Sequence, residues 1–163
     1  MDISRKTDYA LRILSMLVEE GDELLSVRIA AERVGVPYSF ARSIQHGLSH
    51  AGIIESVRGV RGGMRLKVDP EEISVYDVIV AVQGPLCIND CTAPDGACGR
   101  MGSCCFHPLW VGTEALVRDY LSSISLADAV TYRRFPAVDV RFTDRAAFAE
   151  YADCSALRGS RCA

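Results

Sequence analysis

SVRIAAERVGVPYSFARSIQHGLSHAGIIESVRGVRGGMRLKV (residues 26–68) strings together two short helical patterns, a glycine hinge and two short strand patterns. Ser26 is placed to cap a helix over Val27 to Val34 that stops at Gly35, and Val36-Pro37 leads into a second helix over Tyr38 to Ala51, closed by Gly52. Two short helices hinged at a glycine have the form of a helix-turn-helix. At about 100° per residue, Phe40, Ile44, Leu48 and Ala51 of the second helix fall on one side and are expected to pack inward. Ser39, Arg42, His46 and Ser49 fall opposite, with Ser43 on the shoulder. An exposed face of Ser and Arg without a carboxylate suits the DNA major groove, where nothing on it repels phosphate or acceptor-rich base edges.

The same stretch then turns to period two. Ile53 to Val57 and Met64 to Val68 read as strands around Arg58-Gly59-Val60-Arg61-Gly62-Gly63, a hairpin with a glycine-rich tip and two arginines. Guanidinium groups on such a tip suit a narrow minor groove or a phosphate. A helix-turn-helix followed at once by a basic hairpin is a winged helix, far more specific as a combination than either half. The expected fold is mainly α with a small β-hairpin wing: a winged helix-turn-helix plus a long dimerisation helix.

Charge agrees with this reading. From Leu24 to Val68 seven Lys/Arg face two Glu, whereas the whole chain of 163 residues carries a net −3. A basic block on an acidic chain points to a polyanion partner. Before the block, a first helix is expected over residues 4–19, with Ala10, Leu14 and Leu17/Val18 at helical spacing. After it, Ile73 to Gly84 is a helix candidate with Val75, Val78, Ile79 and Val82 on one side. Pro108 suits the first position of a long helix reaching Ser125, with Leu109/Trp110, Leu116/Val117 and Ile124 repeating at sevens, the spacing of a helix that packs lengthwise on a second copy.

Between these helices lies CINDCTAPDGACGRMGSCCFH (residues 87–107), with five of the seven cysteines. The N-terminus lacks the apolar centre of a signal peptide, and the longest apolar run, Val78 to Val82, is too short to cross a bilayer. The expectation is a cytoplasmic protein without a membrane partner, where clustered thiols mean metal or redox chemistry. The Cys-x2-Cys knuckle of structural zinc sites is absent. Gaps of three, six and five residues, rich in glycine, suit a loop wrapped around something larger than one ion, and an iron–sulfur cluster fits. Spacing alone leaves zinc level with it.

Four segments, in order, resemble the Rrf2 family of bacterial winged-helix regulators, whose IscR, NsrR and RirA branches sense iron–sulfur status, nitric oxide and iron. They are Lys6-Thr7-Asp8-Tyr9-Ala10-Leu11-Arg12, Val57 to Gly63, Val75-Tyr76-Asp77-Val78-Ile79 and the cysteine loop closing on Cys104-Cys105-Phe106-His107-Pro108-Leu109-Trp110. The resemblance covers residues 1 to 130 and implies a homodimer on a palindromic double-stranded DNA site, with a 2Fe–2S or 4Fe–4S iron–sulfur cluster. Carried over residue by residue, it implies Cys91, Cys98 and Cys104 as ligands, with Cys87 as substitute for Cys91 because the gap from Cys91 to Cys98 is one residue longer than in the IscR branch. His107 matches the IscR-type fourth donor and Asp8 the aspartate that NsrR-type members contribute from the dimer partner; Cys105 is a spare thiol. For DNA it implies Ser39, Arg42, Ser43 and Arg58, to which the basic tip adds Arg61. IscR-like members have Glu and Gln where this chain has Arg42 and Ser43, which turns base preference toward guanine.

The expected organisation is a DNA-binding domain over 1–84, a cluster loop over 85–107, a dimerisation helix over 108–130 and a tail over 131–163. The expected function is a transcription regulator, not an enzyme, whose promoter affinity is switched by the cluster. A zinc- or thiol-based redox-sensing regulator is the alternative, and a cluster-containing redox protein a more remote one. In the tail, Thr143 to Asp153 reads as a short capped helix, and Cys154 and Cys162 have no assigned role.

Overall fold

The computed structural model describes residues 2–59, 62–96 and 98–137. The tail helix, Cys154, Cys162 and Arg61 lie outside them. The chain divides into two compact units, one of Asp2–Leu86 with Arg118–Pro136 and one built on Cys87–Val117.

In the larger unit, α1 (Arg5–Glu20) starts at Ser4, whose side chain accepts from the Thr7 amide, and stops at Gly21, whose φ of 65° a side chain would resist. It buries Ala10, Ile13, Leu14 and Leu17. Thr7 is fully buried as well, and its hydroxyl donates to Gln83 Oε1 at 2.6 Å, so the polar group enters the core with its partner. The helix-turn-helix follows as α2 (Val27–Val34) and α3 (Tyr38–His50). Gly35, left-handed at φ 75°, donates to Ala31 and Glu32 and turns the chain between them. Tyr9 meets Phe40 edge to face at 5.9 Å, pinning α1 to α3.

The inward face of α3 is Ala41, Ile44 and Leu48. Ala51, expected to pack inward, is exposed, because the helix ends at His50 and Ala51 is the residue that caps it. The wing is an antiparallel pair, β1 (Ile54–Val57) and β2 (Gly63–Leu66), in the register Ile54–Leu66 to Val57–Gly63. Ile54 and Met64 hold the hairpin on the core. Then α4 (Val75–Gln83) opens on a capping box in which Ser74 and Asp77 satisfy each other's amides.

The smaller unit contains a 3-10 turn (Asp90–Thr92) and most of α5 (His107–Ser122). The latter begins at His107, with Pro108 second, and stops three residues short of Ser125. Ser123 closes it by donating its hydroxyl to the Tyr120 carbonyl at 2.7 Å. Ile124, expected on the lengthwise stripe, is buried in the larger unit, where its carbonyl accepts from Val75. No residue of α5 is buried, and Leu109 and Leu116, seven apart, are 54% and 58% exposed. After Ile124, Ser125 and Asp128 repeat the capping box of Ser74 and Asp77, and Asp128–Tyr132 forms a π-helical turn.

Candidate nucleic-acid interface and metal centre

Ion pairing sorts the basic block. Arg33 is held by Glu20 at 2.7 Å and Arg65 is paired with Glu55 across the hairpin, so both are partly neutralised. Arg42 and Arg58 are exposed and form no ion pair with the described residues, which leaves their guanidinium groups available to an anion. Ser39, Arg42 and Ser43 are all exposed on the first turns of α3, the part of a recognition helix that meets base edges. The Gln45 amide donates to Ser56 Oγ at 3.0 Å, which couples the recognition helix to the first wing strand.

Glycines place the wing. A Cβ at Gly62 would run into the Val57 carbonyl, and one at Gly63 would lie 2.7 Å from the Leu25 carbonyl oxygen. The close approach at Gly63 is needed because Leu25 and Met64 exchange backbone hydrogen bonds of 3.0 and 2.9 Å. The wing is therefore tied to the segment just before α2 as well as to α3.

Sequence reasoning missed one feature of this face. Arg28, from α2, lies over the ring of Tyr38 with its guanidinium carbon 5.5 Å from the centroid, and Tyr38 is 47% exposed at the start of α3. The two are ten residues apart on different helices, a spacing that no single periodicity reveals.

In the smaller unit, local turns shape the cysteine loop. Asn89 and Thr92 cap the 3-10 turn that carries Cys91, through bonds of 2.9 Å from the Asp90 amide and from the Thr92 hydroxyl. Gly96 closes a turn on the Ala93 carbonyl at 2.9 Å with φ 54°, before Cys98. The His107 amide donates to the Cys104 carbonyl at 3.2 Å, joining the third thiol to the start of α5. The Ile88 amide donates to Glu114 Oε2 at 3.2 Å, fastening the beginning of the loop to the same helix.

These turns bring Cys91, Cys98 and Cys104 to the wall of one cavity of about 260 Å³, shared with Asn89, Asp90 and Trp110. A single water needs only about 10–15 Å³ of such volume, so the space suits a group much larger than one ion. No three His, Cys, Asp or Glu side chains among the described residues converge on one metal ion. The donor set is soft thiolate, the cavity is polynuclear in scale, and an iron–sulfur cluster fits it.

The remaining candidates separate by environment. His107 Nδ1 is buried without a hydrogen-bond partner among the described residues, and His107 is not on the cavity wall. Asp8 belongs to the larger unit, is exposed, and pairs with Arg12 one turn on at 3.0 Å. Cys87 does not line the cavity; burial, then the carboxylates of Glu114 and Asp95, push its thiol above the ordinary range and disfavour the thiolate a metal needs. Cys105 is exposed and also off the cavity wall.

Comparison with known proteins agrees with this architecture. The Rrf2 family model, described as an iron-dependent transcriptional regulator, matches residues 3–132. The transcriptional repressor NsrR of Streptomyces coelicolor is 38% identical over 147 residues, covering 89% of this chain and 98% of that one. Among solved structures, T. potens IscR superposes with a TM-score of 0.62 at 26% identity, covering 82% and 89% of the two chains. The oxidized form of Staphylococcus aureus CymR gives 0.64 at 29% identity, covering 81% and 98%. No helix among the described residues is long and apolar enough to cross a membrane.

Proposed function

The chain belongs to the Rrf2 family of winged helix-turn-helix transcription regulators and is not an enzyme, and from that premise we propose that an iron–sulfur cluster switches its affinity for a palindromic promoter site. The observation that carries the reading is that Cys91, Cys98 and Cys104, from three separate turns, line one cavity. His107, whose buried Nδ1 has no hydrogen-bond partner among the described residues, is the fourth donor in this proposal, ahead of Asp8. When bound, the cluster supplies a centre whose charge and ligation respond to redox state and to small-molecule attack.

The chain's own residues do the rest. Cys104 and His107 sit on either side of the start of α5, so engaging or releasing them orders or frees the first turn of that helix. Downstream on α5, Leu109 and Leu116 offer an apolar row for a second copy, giving a homodimer. Two recognition helices must meet half-sites at a fixed separation, so a small change at the dimer helix is read out as DNA affinity. Ser39, Arg42 and Ser43 read base edges, while Arg58 and Arg61 grip the backbone or minor groove. The regulator acts as a repressor, in the manner that the name of the Streptomyces relative states.

Anaerobic purification tests the cofactor: a brown protein with matching iron and sulfide is expected, and a colourless one carrying zinc overturns it. Loaded and apo protein should then differ in affinity for a palindromic site at one salt concentration. Equal affinity would remove the switch and leave the DNA-binding regulator. The alternative, a zinc- or thiol-based redox regulator, draws support from one observation, the fold shared with the oxidized form of CymR.

A further inference from the structure

Two of the three histidines in the chain stand one helical turn apart on the recognition helix. His46 and His50 are both exposed, and their rings lie 6.4 Å apart, nearly parallel at 6°. Neither imidazole has a hydrogen-bond or ionic partner among the described residues. Two histidines at i and i+4 on one helix face are a recurring way to grip a transition metal, because the helix repeat alone brings both nitrogens to one point. A metal–imidazole bond of about 2.0–2.1 Å sets the ion roughly 3 Å from each ring centre. The observed separation is therefore closed by rotating two solvent-exposed side chains, with no movement of backbone.

We infer that His46 and His50 form a two-point site for a first-row divalent cation of the imidazole-preferring kind, Ni²⁺, Cu²⁺ or Zn²⁺. The position favours a cation further, since both residues lie toward the C-terminal end of α3, where the helix dipole is negative. No third His, Cys, Asp or Glu among the described residues completes the site, so the ion keeps open positions toward solvent. Arg42, His46 and His50 follow one another at i, i+4 along the exposed face of α3. On DNA, the open positions face acceptors such as guanine N7 and phosphate oxygen, and the ion adds positive charge beside a polyanion. Bound metal therefore tightens DNA binding; this second half rests on the regulator reading, while the first half does not.

The test is calorimetric titration of the full-length, anaerobically purified protein with Ni²⁺, beside His46→Ala and His50→Ala. All three proteins keep every cysteine and His107, so binding at the thiols is common to them. Wild type should bind one equivalent more than either variant, and that equivalent should weaken as pH falls, because the ligand is the neutral imidazole. Identical stoichiometry and affinity in the three proteins overturns the site. Unchanged melting temperatures without metal establish that the variants fold. In parallel, saturating Ni²⁺ should raise the affinity of wild type for a palindromic duplex by about fivefold or more and leave His46→Ala unchanged. Unchanged or weaker DNA binding by metal-loaded wild type overturns the DNA-linked half. Loss of all DNA binding in metal-free protein would instead fail the regulator reading, with the calorimetric result standing.

Discussion

Replacing Gly63 by alanine tests how the wing is held. The added Cβ would lie 2.7 Å from the Leu25 carbonyl oxygen, 2.9 Å from the Leu25 carbonyl carbon and 3.2 Å from that of Leu24. All three are backbone atoms, so no side chain can swing aside, and β2 must move away from the segment before α2. That movement stretches the hydrogen bonds between Leu25 and Met64, which are 3.0 and 2.9 Å long. Two buried backbone bonds are worth about 1–3 kcal/mol together. Met64 is fully buried and moves with the strand, so its packing is also disturbed, at a cost of about 1–3 kcal/mol. The two effects share one displacement, and the net destabilisation should be about 2–4 kcal/mol. For a folding unit of this size, that lowers the melting temperature by roughly 8 °C or more. Circular-dichroism melting with urea titration measures it. Specific DNA affinity should fall about tenfold at fixed salt as the wing leaves its register with α3. A Gly63→Ala protein melting within about 2 °C of wild type would refute the claim that this approach positions the wing.

Arg42→Ala should cost about 1–3 kcal/mol at one base position and relax selectivity there, as read by selection from randomised duplexes. Arg58→Ala should instead weaken all sequences alike and reduce the salt slope by about one counterion. Cys98→Ser should abolish the visible absorption and bound iron of anaerobically purified protein, whereas Cys105→Ser should keep both; the reverse outcome would reassign the loop. The Tyr132 hydroxyl donates to Glu71 Oε1 at 3.0 Å, and that bond, then the Glu71 charge, raises its ionisation above the usual value of 10.0. Because the folded state holds the proton more tightly, the contribution is complete below the unfolded value and is lost as pH climbs through the raised one. The stability of Tyr132→Phe should therefore lack the part of the alkaline decline that wild type shows above pH 10.

Local chemistry made most of the fold readable. Gly35, Gly52 and the Gly62-Gly63 pair mark the hinge, the end of α3 and the return of the wing, and each works through its own backbone, so a single sequence carries the signal. Ala51 and Ile124 were misread for a common reason. Periodicity continues through a helix end without registering it, and both residues lie just past one, at His50 and Ser122. At the site, the resemblance names Cys91, Cys98 and Cys104, but that the three share one wall depends on turns at Asn89, Gly96 and Cys104, which no spacing reveals. Which arginines remain free was illegible, since Arg33 finds Glu20 and Arg65 finds Glu55 only through tertiary placement. Arg28 over Tyr38 belongs to the same class.

In the proposed cluster site, the longer gap between Cys91 and Cys98 and the preferred fourth donor rest on the same kind of reasoning. An extra residue in a ligand loop is harmless where a closed turn can absorb it, and Ala93 to Gly96 form such a turn, with Gly96 at a φ of 54°. Cys91 therefore keeps its place on the cavity wall, and Cys87, off that wall and held toward its protonated form, has no vacancy to fill. For the fourth donor, the relevant quantity is what each group gives up on binding. Asp8 must leave the Arg12 guanidinium at 3.0 Å and shed the water around an exposed carboxylate. His107 Nδ1 is buried with no hydrogen-bond partner among the described residues, so it has none of these to give up. A ligand bond at His107 would displace no partner among the described residues, whereas one at Asp8 would break an exposed ion pair. Since His107 also begins α5, the donor we propose would also pass the state of the loop into the helix.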